Sequence, residues 1–102
     1  MIARMWRGWV RTEDRAVYLD YVEATGMAEY RRTPGNRGAH MLARDLDDGR
    51  TEIVTLSFWD SLDVVRGFAG DDIAKAVFYA DDDRYLVERE DTVTHFDVHD
   101  GA

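Results

Sequence analysis

Two alternating runs joined by a tight turn constrain the fold of this chain more than any other feature. Residues 37–45 and 50–59 each place successive side chains on opposite faces, as strands do. Asp48-Gly49 between the runs is a typical hairpin dipeptide. The sequence therefore predicts an antiparallel pair of strands, to which other strands of the chain are added.

Two further strands are predicted at the ends of the chain, over residues 2–10 and 92–98. The first carries large apolar groups on both faces, which indicates that both sides of the sheet are covered. After it, Thr12 followed by two acids predicts a helix start, and Gly26 predicts the helix end. One more polar helical turn, residues 27–32, leads to the turn around Pro34.

A second helix is predicted after the hairpin. Ser61 is its N-cap, Gly70 interrupts it, and Asp71-Asp72 starts a second helical piece that ends near Phe78. The element order is then β-α-β-β-α-β. We expect an α+β, ferredoxin-like βαββαβ fold with an antiparallel four-stranded sheet, formed by residues 1–102 as one domain.

Charge and composition exclude several classes of partner. The formal net charge is −8 and Lys75 is the only lysine, so the clustered positive charge that binds nucleic acid or anionic membranes is missing. The absence of cysteine removes thiolate nucleophiles and Cys-ligated metals. Residues 1–10 alternate instead of forming the apolar centre of a secretory signal, and no run approaches the roughly 20 apolar residues of a membrane span. We expect a cytoplasmic protein.

Two acidic clusters have structural explanations. The segment Asp45-x-Asp47-Asp48-Gly49 resembles a truncated calcium loop but lacks the spacing and the closing Glu, and a hairpin turn explains it. Residues 81–83 are three aspartates that cap a helical turn or form a solvated face. The three histidines have no zinc spacing. We expect neither a metal nor a tightly bound cofactor.

Candidate site residues follow from chemistry near neutral pH. His95 points from a strand to a covered face and is either a base or a buried histidine bonded to a neighbour. Arg4 lies in the two-sided first strand, so its guanidinium requires a partner: Glu52, Asp97 or a ligand anion. The other candidates are ligand-binding side chains, with core packing or a subunit seam as their alternative role. They are Trp6, His40, Trp59, Phe68, Phe78 and Tyr79.

A resemblance to a known family rests on four stretches, residues 2–8, 33–38, 57–61 and 92–96. A strand that ends in Trp59 just before a helix, and a Pro-Gly turn ahead of the second strand, are typical of the antibiotic-biosynthesis-monooxygenase-like family of dimeric α/β barrel proteins. Over essentially the whole chain, the sequence resembles that family. The resemblance implies a homodimer whose two sheets face each other, with a pocket between sheet and helices in each subunit.

The function implied is a cofactor-independent monooxygenase of an aromatic or polycyclic small molecule, with His95 as base and Arg4 holding an enolate. The alternative is a non-catalytic dimeric ligand-binding or stress-related protein that uses the same pocket. Counted without gaps from Trp59, the family's haem-ligating His falls at Phe78, so haem degradation is not expected. The Asn and Tyr of the polyketide oxygenases fall at Thr55 and Val65.

Overall fold

The protein forms a five-stranded antiparallel sheet in a computed structural model, which describes residues 1–101. The strands are β1 (Ile2–Arg11), β2 (Asn36–Asp45), β3 (Arg50–Trp59), β4 (Leu86–Arg89) and β5 (Thr94–Asp97). The order across the sheet is β2-β3-β1-β4, and β5 pairs with the other end of β1. This order confirms the ferredoxin-like βαββαβ fold, with β4 and β5 together in the place of the predicted fourth strand.

The helices are α1 (Arg15–Val22), α2 (Ala28–Arg32), α3 (Leu62–Ala69) and α4 (Asp82–Tyr85). A 3₁₀ turn, Thr12–Asp14, precedes α1, and a π-helix, Glu23–Met27, joins α1 to α2. Ser61 caps α3 as predicted, because its side chain accepts the backbone N–H of Val64. Within residues 1–101, no helix combines the length and apolar character needed to cross a bilayer.

The two faces of the sheet differ in burial. The face that we call the helix-side face carries Arg4, Trp6, Thr55 and Trp59, all buried beneath the helices. On the opposite face, called the outer face, most side chains are only partly covered, and Ala3 and Glu52 are the buried ones. Its larger apolar members are Met5, Trp9, Leu42, Val54, Leu56, Phe58 and Phe96. A buried site is therefore expected on the helix-side face, and the outer face is available for contact with another molecule.

Three local predictions were wrong. Gly26 does not end the first helix, because the chain continues through the π-helix into α2. The helix predicted over residues 71–78 is absent; apart from one isolated bridge, Lys75 to Thr92, this segment has no regular structure. The strand predicted over 92–98 is shorter, at Thr94–Asp97, and β4 was not predicted because its four residues are too few for a clear alternation.

Residues 70–81, which we call the roof loop, replace that helix. The backbone of the roof loop is held by the segment between β4 and β5: Ala76 N–H donates to Asp91 O at 3.0 Å, and Val93 N–H donates to Ala74 O at 2.8 Å. These bonds satisfy backbone groups that a helix would have paired internally. The roof loop therefore lies as a cover over the helix-side face of the sheet.

Candidate functional site

A small cavity lies between the helix-side face, the helices and the roof loop. Its walls come from β1, β3, the helical run 15–32, α3, the roof loop, the start of α4 and the segment before β5. They include Arg4, Trp6, Thr25, Tyr30, Phe68 and Phe78. The water-accessible cavity volume is about 40 Å³, which is room for about three waters. Because an aromatic ring is larger than this space, ring binding requires one wall to move. The roof loop is the wall without regular structure.

Arg4 places an unneutralised positive charge at this cavity. The side chain is 2% exposed, and its guanidinium donates to Ile73 O at 2.6 Å and to Lys75 O at 3.0 Å. No carboxylate of residues 1–101 lies within 4.0 Å of it. Burial lowers the pKa of Arg4, which still stays charged at physiological pH. A buried cation with only neutral acceptors favours an anion nearby.

The two carboxylates considered as partners of Arg4 lie elsewhere. Glu52 is on the outer face, where its carboxylate accepts from Arg44. Asp97, on β5, is exposed and pairs with Ile2 of β1. The expectation that either one neutralises Arg4 was wrong, which leaves a ligand anion as the remaining partner among those considered.

His95 lies directly beside Arg4. The two residues face each other across β1 and β5, and Nε2 of His95 is 3.0 Å from Nη1 of Arg4. A guanidinium can only donate, so Nε2 accepts and the imidazole proton sits on Nδ1. Burial and the charge of Arg4 both lower the pKa of His95. The imidazole is therefore neutral at physiological pH, although it does not itself line the cavity.

Six aromatic residues contribute to the remaining wall. Trp6 is held by a bond from its Nε1 to Glu90 O at 2.7 Å, and it meets Phe78 edge to face at 6.1 Å between centroids. Tyr30 and Phe68 stack at 4.4 Å. Arg4 lies 5.7 Å from the centroid of Phe68, within cation–π range. The rings of Trp6, Tyr30, Phe68 and Phe78 give this part of the cavity flat apolar walls, which suit an aromatic ligand.

The structure brings together most of the side chains proposed from sequence. Arg4, Trp6, Phe68, Phe78 and Tyr79 line one cavity, and burial raises the pKa of Tyr79 to about 12. Trp59 lies behind this wall, fully buried, with its Nε1 donating to Ser57 Oγ at 2.9 Å. His40 is exposed on the outer face, 6.3 Å from Phe58 between ring centroids.

Sequence reasoning missed Asp82, a buried carboxylate in the cavity wall. Asp82 is 5% exposed, whereas Asp81 and Asp83 are exposed. Its Oδ1 accepts from Tyr18 Oη at 3.0 Å, and its Oδ2 accepts from the Tyr79 N–H at 2.7 Å. Burial raises the pKa of Asp82 and also raises that of Tyr18. Three adjacent aspartates gave no signal for which one turns inward.

The other acidic cluster forms the hairpin turn. Asp48 Oδ1 accepts the Arg50 N–H at 3.1 Å, and Asp45 Oδ1 accepts from Thr51 Oγ1 at 2.7 Å. These hydrogen bonds and the neighbouring arginines keep the pKa of both carboxyls low. Across residues 1–101, no three His, Cys, Asp or Glu side chains are grouped as a metal-binding set.

Solved structures of other proteins share this architecture. A provisionally assigned antibiotic biosynthesis monooxygenase from Bacillus cereus is 13% identical, with a TM-score of 0.67 over 99% of this chain and 97% of that one. Rv0793 from Mycobacterium tuberculosis is 20% identical, with a TM-score of 0.62 over 99% and 97% of the two chains. The chain has the antibiotic-biosynthesis-monooxygenase-like fold. A mutant of MhuD with two manganese protoporphyrin IX bound per active site shares it, at 12% identity and a TM-score of 0.61 over 100% and 98% of the chains.

At these identities the likeness shows the antibiotic-biosynthesis-monooxygenase-like fold alone. No protein-family model and no curated protein matches the sequence. The resemblance places the family's His, Asn and Tyr at Phe78, Thr55 and Val65, and these three residues do not all line the cavity. Phe78 and Thr55 line the cavity, whereas Val65 is fully buried in the core. Phe78 has no atom that can ligate iron, so the site lacks a haem ligand at that position.

Proposed function

We propose that the protein is a small cytoplasmic monooxygenase that acts, without a tightly bound cofactor, on an aromatic molecule bound as its oxyanion. The observation that carries this proposal is the charge of Arg4, buried at an aromatic cavity with no carboxylate partner among residues 1–101. An oxyanion of a phenol or enol supplies the anionic partner that Arg4 lacks and the flat ring that the walls accept.

Ligand entry is coupled to the roof loop. Arg4 donates to two carbonyls of that loop, at Ile73 and Lys75. An oxyanion is a stronger acceptor than a neutral carbonyl, so it competes for the same N–H groups. Transfer of Arg4 from the carbonyls to the ligand releases the roof loop and enlarges the cavity. The same guanidinium thus holds the cover closed when empty and binds the ligand when the cover opens.

The proposed chemistry uses His95 as base. Once the ligand draws Arg4 away, the unprotonated Nε2 of His95 is free to take a proton from an acidic methylene or hydroxyl of the ligand. For an anthrone, dioxygen is the oxidant. The carbanion reduces it to a hydroperoxide bound at the same carbon, and loss of water leaves the quinone carbonyl. One oxygen atom enters the product, and the other leaves as water with the two methylene hydrogens.

Oxygen uptake tests this proposal. Wild type, Arg4→Gln and His95→Ala are incubated with a panel of anthrones and hydroquinones in an oxygen electrode. Arg7→Gln is the matched control, since Arg7 lies on the outer face and pairs with Glu90. We expect uptake by wild type and Arg7→Gln, and a loss of about tenfold or more in the other two variants. If wild type consumes oxygen no faster than His95→Ala on every substrate, the enzymatic part of the proposal is refuted.

The second candidate function is non-catalytic binding of the same aromatic anions. Two observations favour it: Nε2 of His95 is already occupied by Arg4, and Thr55 and Val65 stand where the polyketide oxygenases of the family carry Asn and Tyr. Arg4-dependent binding without oxygen uptake would select this candidate. A haem titration is a separate check, and a shifted Soret band would contradict the absence of an iron ligand at Phe78.

We also propose that two copies pair through the outer face. Leu42 and Phe96 are 49% and 46% exposed there, next to the half-buried Met5, Leu56 and Phe58. Isolated apolar side chains on a surface are ordinary, but a contiguous patch on one sheet face favours a partner. Light scattering should give twice the chain mass of 11.8 kDa. A particle of one chain mass would refute the pairing.

A further inference from the structure

Asp82 gives the cavity a second charged wall. The carboxylate belongs to the same lining as Arg4, yet the two are not ion-paired. Within residues 1–101 no cationic nitrogen lies within 4.0 Å of Asp82, since its neighbour Arg89 pairs with Asp83 and Asp91. A buried carboxylate without a paired cation is costly, and the hydrogen bonds it accepts offset part of that cost.

The hydrogen bonds of Asp82 leave room for another donor. Each carboxylate oxygen has about two lone-pair positions. Oδ1 uses one for Tyr18 and Oδ2 uses one for the backbone of Tyr79. The cavity wall therefore presents unused acceptor positions at Asp82. At Arg4 it presents a positive charge that has no anionic partner. Among residues 1–101, neither charge is met by an opposite one.

Building on the proposed function, we propose that Asp82 is a specificity-determining residue that selects dihydroxy-aromatic ligands. One oxygen of such a ligand binds as an oxyanion at Arg4, and a second hydroxyl donates to the carboxylate of Asp82. A hydroxyl fits better than an ammonium group because Asp82 already accepts from one phenolic hydroxyl, that of Tyr18, in the same wall. A ligand with a single oxygen leaves the second contact unmade.

Anaerobic calorimetry tests this selection without turnover. Monohydroxynaphthalenes and the isomeric dihydroxynaphthalenes are titrated under argon into wild type, Asp82→Asn and Arg4→Gln. In wild type, at least one diol isomer should bind about tenfold more tightly than its parent, as a hydrogen bond to a charged group allows. In Asp82→Asn that ratio should fall to about one while affinity for the parent stays within about twofold. Asp83→Asn is the control, because Asp83 is exposed, and it should keep the wild-type ratio.

The possible outcomes separate this inference from the proposed function. Arg4-dependent binding of the parent compounds with no preference for any diol would overturn the selection alone. A preference that survives in Asp82→Asn, or an equal loss for parent and diol, would show that Asp82 has only a structural role. If no hydroxynaphthalene binds, or if Arg4→Gln binds them as tightly as wild type does, the proposed function is overturned as well.

A second variant keeps the test decisive if Asp82→Asn does not fold. Tyr18→Phe retains the carboxylate and removes one of its donors. The freed lone pair is then available to the ligand hydroxyl, whose hydrogen bond takes the place of the one from Tyr18. The preference for the diol should therefore be kept or increase in Tyr18→Phe, and its loss would contradict the role given to Asp82.

Discussion

Removal of the Arg4 guanidinium should open the roof loop. Proteolysis at Lys75, within that loop, can detect the opening. Lys75 is the only lysine in the sequence, it is exposed, and its own carbonyl accepts from Arg4. A lysine-specific endoprotease can therefore cut the chain at one place, within the roof loop. A folded loop must detach from its neighbours before a protease can bind it.

The size of the effect follows from the bonds lost. Arg4→Gln removes two charge-assisted hydrogen bonds to the roof loop, those to Ile73 and Lys75. At the lower end of about 1.5 kcal/mol each, the opening free energy falls by about 3 kcal/mol. Cleavage follows the open population when reclosing is fast, so the rate should rise about a hundredfold. The bonds of Ala74 and Ala76 to the segment 91–93 remain and oppose opening.

The assay compares cleavage rates of Arg4→Gln, Arg7→Gln and wild type under native conditions. Arg7→Gln removes a guanidinium from the same strand without touching the roof loop. Denaturant unfolding of each variant shows whether global unfolding accounts for any change. Equal rates in the two variants, at similar global stability, would refute the view that Arg4 tethers the roof loop.

Three further outcomes are expected. Gly8→Ala should lower Tm by about 5–20 °C in a circular dichroism melt, because the added Cβ would overlap the indole ring of Trp6; an unchanged Tm would contradict this. Ser57→Ala should cost about 1–3 kcal/mol in denaturant unfolding, since the buried Nε1 of Trp59 loses its acceptor, and a cost near zero would reveal another acceptor. The pKa of His95 is lowered in the fold, so protonation favours the unfolded chain and stability falls as pH drops below about 6.5; His95→Gln should flatten that dependence.

Strands β1, β2 and β3 were predictable because their signals are local. Alternation gave β1 and β3 nearly to the residue, and the Asp48-Gly49 turn gave β2 as the hairpin partner of β3. The capping signal of Ser61 located α3 in the same way. These features depend on neighbours in the sequence, so the sequence alone determines them.

The roof loop was not predictable for the opposite reason. Two aspartates followed by apolar residues are a reasonable helix start, but the backbone of this segment bonds to residues 91 and 93 and to Arg4 instead. Contacts across 15 or more positions outweighed local propensity there. Asp82 was missed on the same grounds, since only the packing of α1 against α4 distinguishes it from the aspartates beside it.

The break between β4 and β5 has a consequence for how this fold can vary. Glu90 still bonds β1, whereas Asp91 and Val93 bond the roof loop. The strands β1, β2 and β3 pair with one another independently of this segment. A residue inserted or deleted at the break would move the roof loop, and with it the two carbonyls that Arg4 bonds, while the β1–β3 and β2–β3 registers stay unchanged. Surface insertions of this kind cost little free energy. Cavity depth, and with it ligand size, is therefore open to change in evolution or in engineering by length changes at one short segment.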